Sequence, residues 1–504
     1  MKNVIKKIVE YVIVFLFLLT LCFYINKDLV LKAFYMDDLF HWSWFRGLNI
    51  FEFAFKFYEA SRYRPVFDAI QYIFYVIIGT NPMKLTIINK VYNSLIALFI
   101  YHFAKRLSKN HMLSILISSL YVVAHYAYYQ ISQGIGSLES TALLLALLVL
   151  FYCLKLSGVI EENNNKNIKN IVALFILFFI LVFTHERFLC TAAPIVIAIF
   201  TAKGEKVINK NKIIALFVFI LEISLICYIR YLAIGKVMPA GTGGTYVEET
   251  FNIVECIKYC FIQVAFIFGI NIGPDYLYGI DFVSLPDIMS KYLLIVSIAL
   301  ILVVILWYIV IRIMNRQEMK YVAADLLFLS FIAVCIGASS VTIRVELRFI
   351  YVSFTAAMLY LLYMCSFIVS KLKLKKLRVL PILLITLVFV TRIPIELSYR
   401  KYFPKIHCIV DMIRVNSIYD NTIGKYGVDD IVNNKKIYVI NKYYGLTNFY
   451  AESILKIYDI NDVGKPMIMV SDFSEIPPED IGNSNVIILY EDITNNNYAT
   501  LNLQ

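Results

Sequence analysis

Unbroken apolar runs constrain this chain more than any other feature. Ile213–Tyr231, Tyr292–Ile313 and Phe349–Val369 are examples, and several more lie between them. A helix crossing a hydrocarbon core needs about 17–25 such residues. A water-soluble core could not enclose so many runs of this length. The composition agrees: of 504 residues, 60% are hydrophobic and 16% charged, against about 45–50% and 25% in ordinary globular chains. A soluble enzyme is thereby excluded.

The net charge of +11 would suit a nucleic-acid partner only if it were gathered on one face. It is not. Residues 396–504 carry ten Lys/Arg and fourteen Asp/Glu, so this stretch stands at −4 and the rest at +15. The excess falls in short blocks between apolar runs: Lys105-Arg106, Lys166/Lys169, Lys203/Lys206/Lys210/Lys212, Arg312/Arg316/Lys320 and Lys371–Arg378. Such blocks mark cytoplasmic loops, and no nucleic-acid partner is expected. The nine cysteines lie mostly inside apolar runs and form neither a disulfide framework nor a zinc motif. The first apolar run follows Lys2, Lys6 and Lys7 but has no small-residue cleavage site before Asn26-Lys27, so a retained first span is expected.

Placing every basic block inside yields eleven spans: 8–26, 84–104, 112–129, 138–157, 170–184, 188–202, 213–233, 291–313, 322–340, 349–370 and 379–395. The N-terminus is then cytoplasmic and the C-terminus extracytoplasmic. Loops 27–83 and 234–290 are long and lie outside. Within them, Val66–Gly79 and Phe251–Ile270 are apolar but short or charged, which suggests interfacial or re-entrant helices. From residue 396 the composition turns soluble. Ile437–Ile440, Met467–Val470 and Val486–Tyr490 read as strands and Gly445–Tyr458 as a helix. The expected fold class is an α-helical polytopic membrane protein of about 11 transmembrane helices (residues 1–395), with a small C-terminal α/β domain (396–504).

Four charged clusters fall at the outer ends of these spans, where charge near the apolar phase is costly unless paired or wetted. Asp37-Asp38 follow the first span beside Trp42 and Trp44. One carboxylate suits a general base and the other an acceptor-orienting or metal-binding role; a helix N-cap is the plainer alternative. Arg62 and Arg64 in Ser61–Pro65 suit a phosphate, because guanidinium presents paired planar donors, or a lipid headgroup. His185-Glu186-Arg187 occupy a very short turn without Gly, Pro or Asn, unlike an ordinary connector; a solvated hairpin is the plainer alternative. Arg344, Glu346 and Arg348 sit at the mouth of the tenth span and suit either a bound anion or an internal ion-pair knot.

Their order resembles the GT-C superfamily, the polyprenyl-phosphate-sugar-dependent glycosyltransferases of the protein mannosyltransferase and aminoarabinose transferase type, over residues 1–395. That family carries an acidic pair just after the first span, matched by Asp37-Asp38. A Tyr-Arg-Pro element, an apolar segment and Asn-Pro follow, matched by Tyr63-Arg64-Pro65, Val66–Gly79 and Asn81-Pro82, with Asn93 beyond. A polar-Glu element before a Pro-containing span is matched by His185-Glu186-Arg187 with Pro194, and a late Glu-x-Arg-Tyr element by Glu346-Leu347-Arg348-Phe349. Phe349 stands where the family has Tyr, no Pro follows Glu346, and the acidic pair is Asp-Asp rather than Asp-Glu.

The resemblance implies a cell-membrane enzyme that takes sugar from a polyprenyl-phosphate donor at the outer face. The acceptor would be a cell-surface glycan or lipid. Asp37 or Asp38 would be catalytic. Arg62, Arg64, His185, Glu186, Arg187, Arg344, Glu346 and Arg348 would bind substrate. A divalent metal is compatible with the acidic pair but not implied, because the first loop has no Asp-x-Asp; no other cofactor is expected. Three rival readings remain open: a polysaccharide polymerase or ligase of another fold, a lipid-carrier flippase or transporter, and a membrane scaffold displaying the tail. Mid-span Glu222 and Asp325 are the charges a transporter would use.

Overall fold

The computed structural model describes residues 2–55, 62–160, 167–203, 209–235, 237, 252–271, 287–315, 319–341, 346–446, 454–458 and 467–501. Eight described helices are long and apolar enough to cross a membrane: Val4–Ile25, Met83–Ser108, Gly136–Leu156, Lys210–Ile234, Ile288–Met314, Lys320–Ser340, Leu347–Lys371 and Lys376–Lys405. A ninth is counted if His111–Val123 and His125–Ser132, bent by 50° at their junction, form one span.

The expected count of eleven therefore reduces to eight or nine by length and composition. The expected 112–129 span breaks at Ala124, whose ψ of 137° leaves the helical region. Ile168–Thr184 is helical but short, and residues 188–202 divide between a 3-10 turn, Glu186–Thr191, and a short helix, Ala192–Phe200. Side-chain caps fix several helix starts: Asn110, Asn209 and Asp287 accept the backbone N–H of Leu113, Lys212 and Ser290, satisfying donors a helix cannot bond internally.

Burial sorts the bundle into centre and rim. Gly136–Leu156 and Leu347–Lys371 are each 83% buried over their most apolar stretch, whereas Val4–Ile25, Lys210–Ile234 and Ile288–Met314 are 17%, 22% and 28% buried. The rim helices show Leu, Ile, Val, Phe and Tyr outward, as a lipid-facing surface requires.

The bundle has two chemically different ends. At one, Lys105 pairs with Glu10, the Lys212 ammonium donates to Phe200 O at 2.8 Å, Arg312 Nε donates to Asp325 at 3.0 Å and Lys371 sits over Tyr321. These described members of the basic blocks gather at a common end. At the other, Leu31 N–H donates to Thr86, Gln263 bonds Ser339 and Ser340, and Tyr399 OH reaches Gly269 O. Two further helices pack at this second end. Pro65–Ile78 buries Phe67, Asp68, Gln71 and Tyr75 and exposes Ile73, Val76 and Ile77. Ile253–Ile267 carries Gln263 and packs on the Lys320–Ser340 helix.

The last span runs to Tyr399, past the expected end at 395. A short 3-10 turn leads to the helix His407–Asn421 and then to a four-stranded mixed sheet. Strands β1 (Lys436–Ile440), β2 (Ile468–Val470), β3 (Val486–Asp492) and β4 (Asn497–Thr500) lie in the order β2-β1-β3-β4. β1 runs parallel to β2 and β3, and β4 antiparallel to β3. The fourth strand was not expected. Its sequence, Asn497–Thr500, has little apolar content, and its place follows from pairing with β3. Of the expected Gly445–Tyr458 helix, residues 447–453 lie outside the described ones, and Ile454–Tyr458 forms a 3-10 turn.

Candidate functional site

All four sequence clusters contribute described residues to the second end of the bundle. Arg344 lies outside the described residues, while Glu346 and Arg348 are described.

The acidic pair divides sharply. Met36–Phe45 forms a short helix with Asp37 and Asp38 in its first turn. Asp38 is buried, and its two carboxylate oxygens accept the backbone N–H groups of Gly134 and Ile135, both at 2.7 Å. A Cβ at Gly134 would stand 3.1 Å from Asp38 Oδ1 and 2.5 Å from Leu85 Cδ2, so glycine lets the carboxylate close on this turn. Burial pushes the Asp38 carboxyl up to about 7, against the lowering effect of the two N–H donors. Asp37 is exposed. The two adjacent acids therefore have different surroundings: one anchors a turn, the other faces outward.

Arg64 and Glu186 form a closed fork. Arg64 Nε and Nη2 donate to Glu186 Oε2 and Oε1, each at 2.7 Å, with both side chains about nine-tenths buried. Despite burial, the Arg64 guanidinium holds Glu186 well below the usual carboxylate range. Arg62 lies within electrostatic reach of Arg64, Glu186, Asp37 and Arg348. Burial, with Arg64 beside it, lowers its guanidinium to about 10. His41, one turn beyond Asp37, packs edge-on against Phe67 at 6.0 Å. Burial, with Arg64 and Arg62 nearby, lowers it to about 4 although Asp37 pulls the other way.

The turn at 184–187 is buried rather than a solvated hairpin. His185 Nδ1 accepts the Arg187 backbone N–H at 3.3 Å, so this nitrogen carries no proton. Nε2 lies 3.5 Å from Glu139 Oε1 and is the protonated nitrogen of the neutral ring. Burial, with Arg64 and Arg187, lowers His185 to about 4. Arg187 Nη2 donates to Glu139 Oε2 at 2.8 Å, and its guanidinium lies over the Phe349 ring at 4.1 Å. Phe supplies that π face as Tyr would, which accounts physically for Phe in the Glu-Leu-Arg-Phe element.

Glu139 and Arg348 open the two most buried helices, so the bundle centre positions both. An acid in a first helical turn, as at Glu139, is favoured by the helix dipole, whereas a cation there, as at Arg348, is not. Glu346 pairs with Arg348, whose guanidinium lies over Tyr129 at 4.2 Å. The ion-pair knot is thus formed in part, between Glu346 and Arg348.

A second buried cluster lies where the 111–132 helix breaks. His125 Nδ1 is 2.5 Å from Glu396 Oε2, and Arg392 Nε donates to Glu396 Oε1 at 2.7 Å. All three side chains are at most 1% exposed. Tyr126 OH donates to Phe266 O at 2.8 Å, tying the broken helix to the Ile253–Ile267 segment.

Sequence reasoning did not single out Glu139, Arg230, His125, Arg392 or Glu396. For all but His125 a signal existed: each is a charged residue inside or closing an apolar run, costly there without a partner. Chemically, the second end offers an outward carboxylate, Asp37, near guanidinium groups, a pattern suited to base catalysis beside an anion. Among the described residues, no three His, Cys, Asp or Glu side chains are grouped to hold a metal ion. No protein-family model and no curated protein matches this chain.

Proposed function

We propose that this multi-pass membrane protein is a glycosyltransferase of GT-C type, moving sugar from a polyprenyl-phosphate donor to a glycan or lipid acceptor. In this reading the eleven apolar segments all belong to the membrane domain. The basic end of the bundle is cytoplasmic by the positive-inside tendency, and the site end and tail are extracytoplasmic. The observation that carries the proposal is the convergence of Asp37, Arg62, the Arg64–Glu186 fork and Arg348 at one end of the bundle.

In the reaction, an acceptor hydroxyl attacks the anomeric carbon while the bond to the lipid phosphate breaks. Asp37 accepts the hydroxyl proton, and the phosphate leaves with the bond's electron pair. Guanidinium groups stabilise the charge that builds on it. Asp38 supports Asp37 by holding the Gly134–Ile135 turn. Of the two mid-span acids a flippase would use, Asp325 is engaged by Arg312, Tyr308 and Tyr360, whereas the buried Glu222 carboxylate has no hydrogen-bond partner among the described residues.

The test is lipid mass spectrometry on cells with and without the gene. Loss of the gene is expected to leave a polyprenyl-phosphate sugar accumulating and to remove one sugar from a surface glycan or lipid. Unchanged lipid-linked sugars and surface glycans would end the proposal.

A further inference from the structure

Arg64, Arg187 and Arg348 each pair with a carboxylate within the protein, Glu186, Glu139 and Glu346 respectively. Arg230 differs. It lies one turn before the end of the Lys210–Ile234 helix and is 2% exposed. Its Nε donates to Val237 O at 3.1 Å. Its Nη1 and Nη2 are buried and have no hydrogen-bond partner among the described residues.

Its surroundings sharpen the point. Arg230 feels the Glu186 carboxylate and the Arg64 guanidinium, but both Glu186 oxygens are already bonded to Arg64 at 2.7 Å. A buried guanidinium keeps its charge, and leaving its donors unbonded is costly. Two terminal nitrogens open side by side form a planar fork that matches two oxygens of a phosphate group. A sugar hydroxyl could accept one such bond but could not neutralise the charge.

Arg230 also sits at the bundle's lateral wall. Its helix is one of the rim helices, and its neighbours Tyr228, Tyr231 and Leu232 are all more than half exposed. A lipid chain lying in the bilayer would run along that surface and bring its phosphate to the helix end.

We propose that Arg230 forms a phosphate subsite at the side entrance of the site, taking the phosphate of a membrane lipid beside the Arg64–Glu186 fork. This rests on reading the site as one that handles a lipid-linked phosphate. A free phosphate ion has the same chemistry, so the test separates the two sources.

The full-length protein is held in dodecyl maltoside, which carries no phosphate, and binding of farnesyl phosphate, farnesol and inorganic phosphate is measured by calorimetry. Wild type is expected to bind farnesyl phosphate and not farnesol. Arg230→Gln is expected to weaken that binding about tenfold or more, as loss of charge-assisted bonds implies. Arg230→Lys keeps the charge but loses the fork, and is expected to fall between. If Arg230→Gln does not fold, Arg230→Lys carries the test, and wild-type affinity in it overturns the proposal. Equal farnesyl phosphate binding by wild type and Arg230→Gln, or no binding of any phosphate probe, also overturns it. Arg230-dependent binding of inorganic phosphate as tight as that of farnesyl phosphate keeps the phosphate contact but removes the lipid source. Arg230-dependent farnesyl phosphate binding in a protein whose deletion changes no glycan supports the subsite while the transferase reading fails.

Discussion

Arg64 and Glu186 are 122 positions apart and meet in a two-bond fork, each bond 2.7 Å long. The pair joins the long loop after the first span to the turn at 184–187, so it fixes the site's width. Removing one partner leaves the other as a buried unpaired charge, at a cost of about 3–5 kcal/mol. Glu186→Gln and Arg64→Met are each expected to lower the thermal unfolding midpoint in detergent. The double variant Arg64→Met/Glu186→Leu is expected to recover part of the loss, since an apolar pair leaves no orphan charge. Additive losses in the double variant would show that the fork is not a coupled unit.

The acidic pair offers a cleaner division. Asp38 accepts two backbone N–H groups with two oxygens, and Asn at this position has only one. Asp38→Asn is therefore expected to destabilise the fold by about 1–3 kcal/mol, read as a lower unfolding midpoint. Asp37→Asn is expected to leave that midpoint unchanged. Under the transferase reading it also abolishes sugar transfer while farnesyl phosphate still binds. Full turnover in Asp37→Asn would remove Asp37 as the base.

Much of this arrangement was legible in the sequence, and the reasons for the rest are physical. Apolar run length marked the membrane helices, because crossing a bilayer demands that length. It did not reveal the break at Ala124, since Tyr121–Tyr129 is apolar through the bend but for His125, and the broken backbone is held by a distant buried partner, Glu396. Pairing was invisible for the same reason. Arg64 and Glu186 carry no local signal for one another, and Arg187 finds Glu139 only once two spans are packed. Arg392 and Glu396 are four apart, as helix neighbours should be, but their third partner, His125, lies 271 positions from Glu396. The strands β1 and β3 announced themselves as apolar runs, whereas β4 did not.

His185 gives a pH prediction with a definite sign. Its ordinary value of 6.5 is lowered to about 4 in the folded protein by burial, with Arg64 and Arg187 adding to it and Glu139 opposing. Glu186 also faces it, 3.8 Å away. Between pH 6.5 and 4 the unfolded chain binds a proton that the folded one refuses, so stability is lost as pH falls through that window. Asp38, raised to about 7 by burial, acts oppositely, since its folded form keeps a proton that the unfolded chain releases. The measurement is therefore a difference. The unfolding midpoint of wild type, relative to His185→Gln, is expected to fall as pH drops from about 7 to 4.5 and to level off above about 7. Parallel curves would show that His185 titrates alike in both states.

The tail is fastened to the site's first loop at residues 30–32. Asn416, on the His407–Asn421 helix, accepts the Lys32 backbone N–H at 2.8 Å and donates to Val30 O at 2.6 Å. Tyr458 OH donates to Lys32 O, and Lys32 Nζ bonds Asp420 at 2.7 Å. Residues 30–32 lie a few positions before Asp37, so this contact sets where the loop leaves the first span. Exposed ion pairs such as Lys32–Asp420 contribute about 0–1 kcal/mol, so the neutral Asn416 contacts dominate. Asn416→Asp keeps the acceptor but turns a carboxylate oxygen toward Val30 O, removing one bond and adding repulsion. It is expected to cost about 1–2 kcal/mol locally, read as faster amide hydrogen exchange at Leu31–Ala33 with the helices of the bundle unchanged. Asp420→Asn is expected to leave that exchange nearly as it is. Equal acceleration by both variants would shift the fastening from the amide to the ion pair, and with it the route by which the tail steadies Asp37.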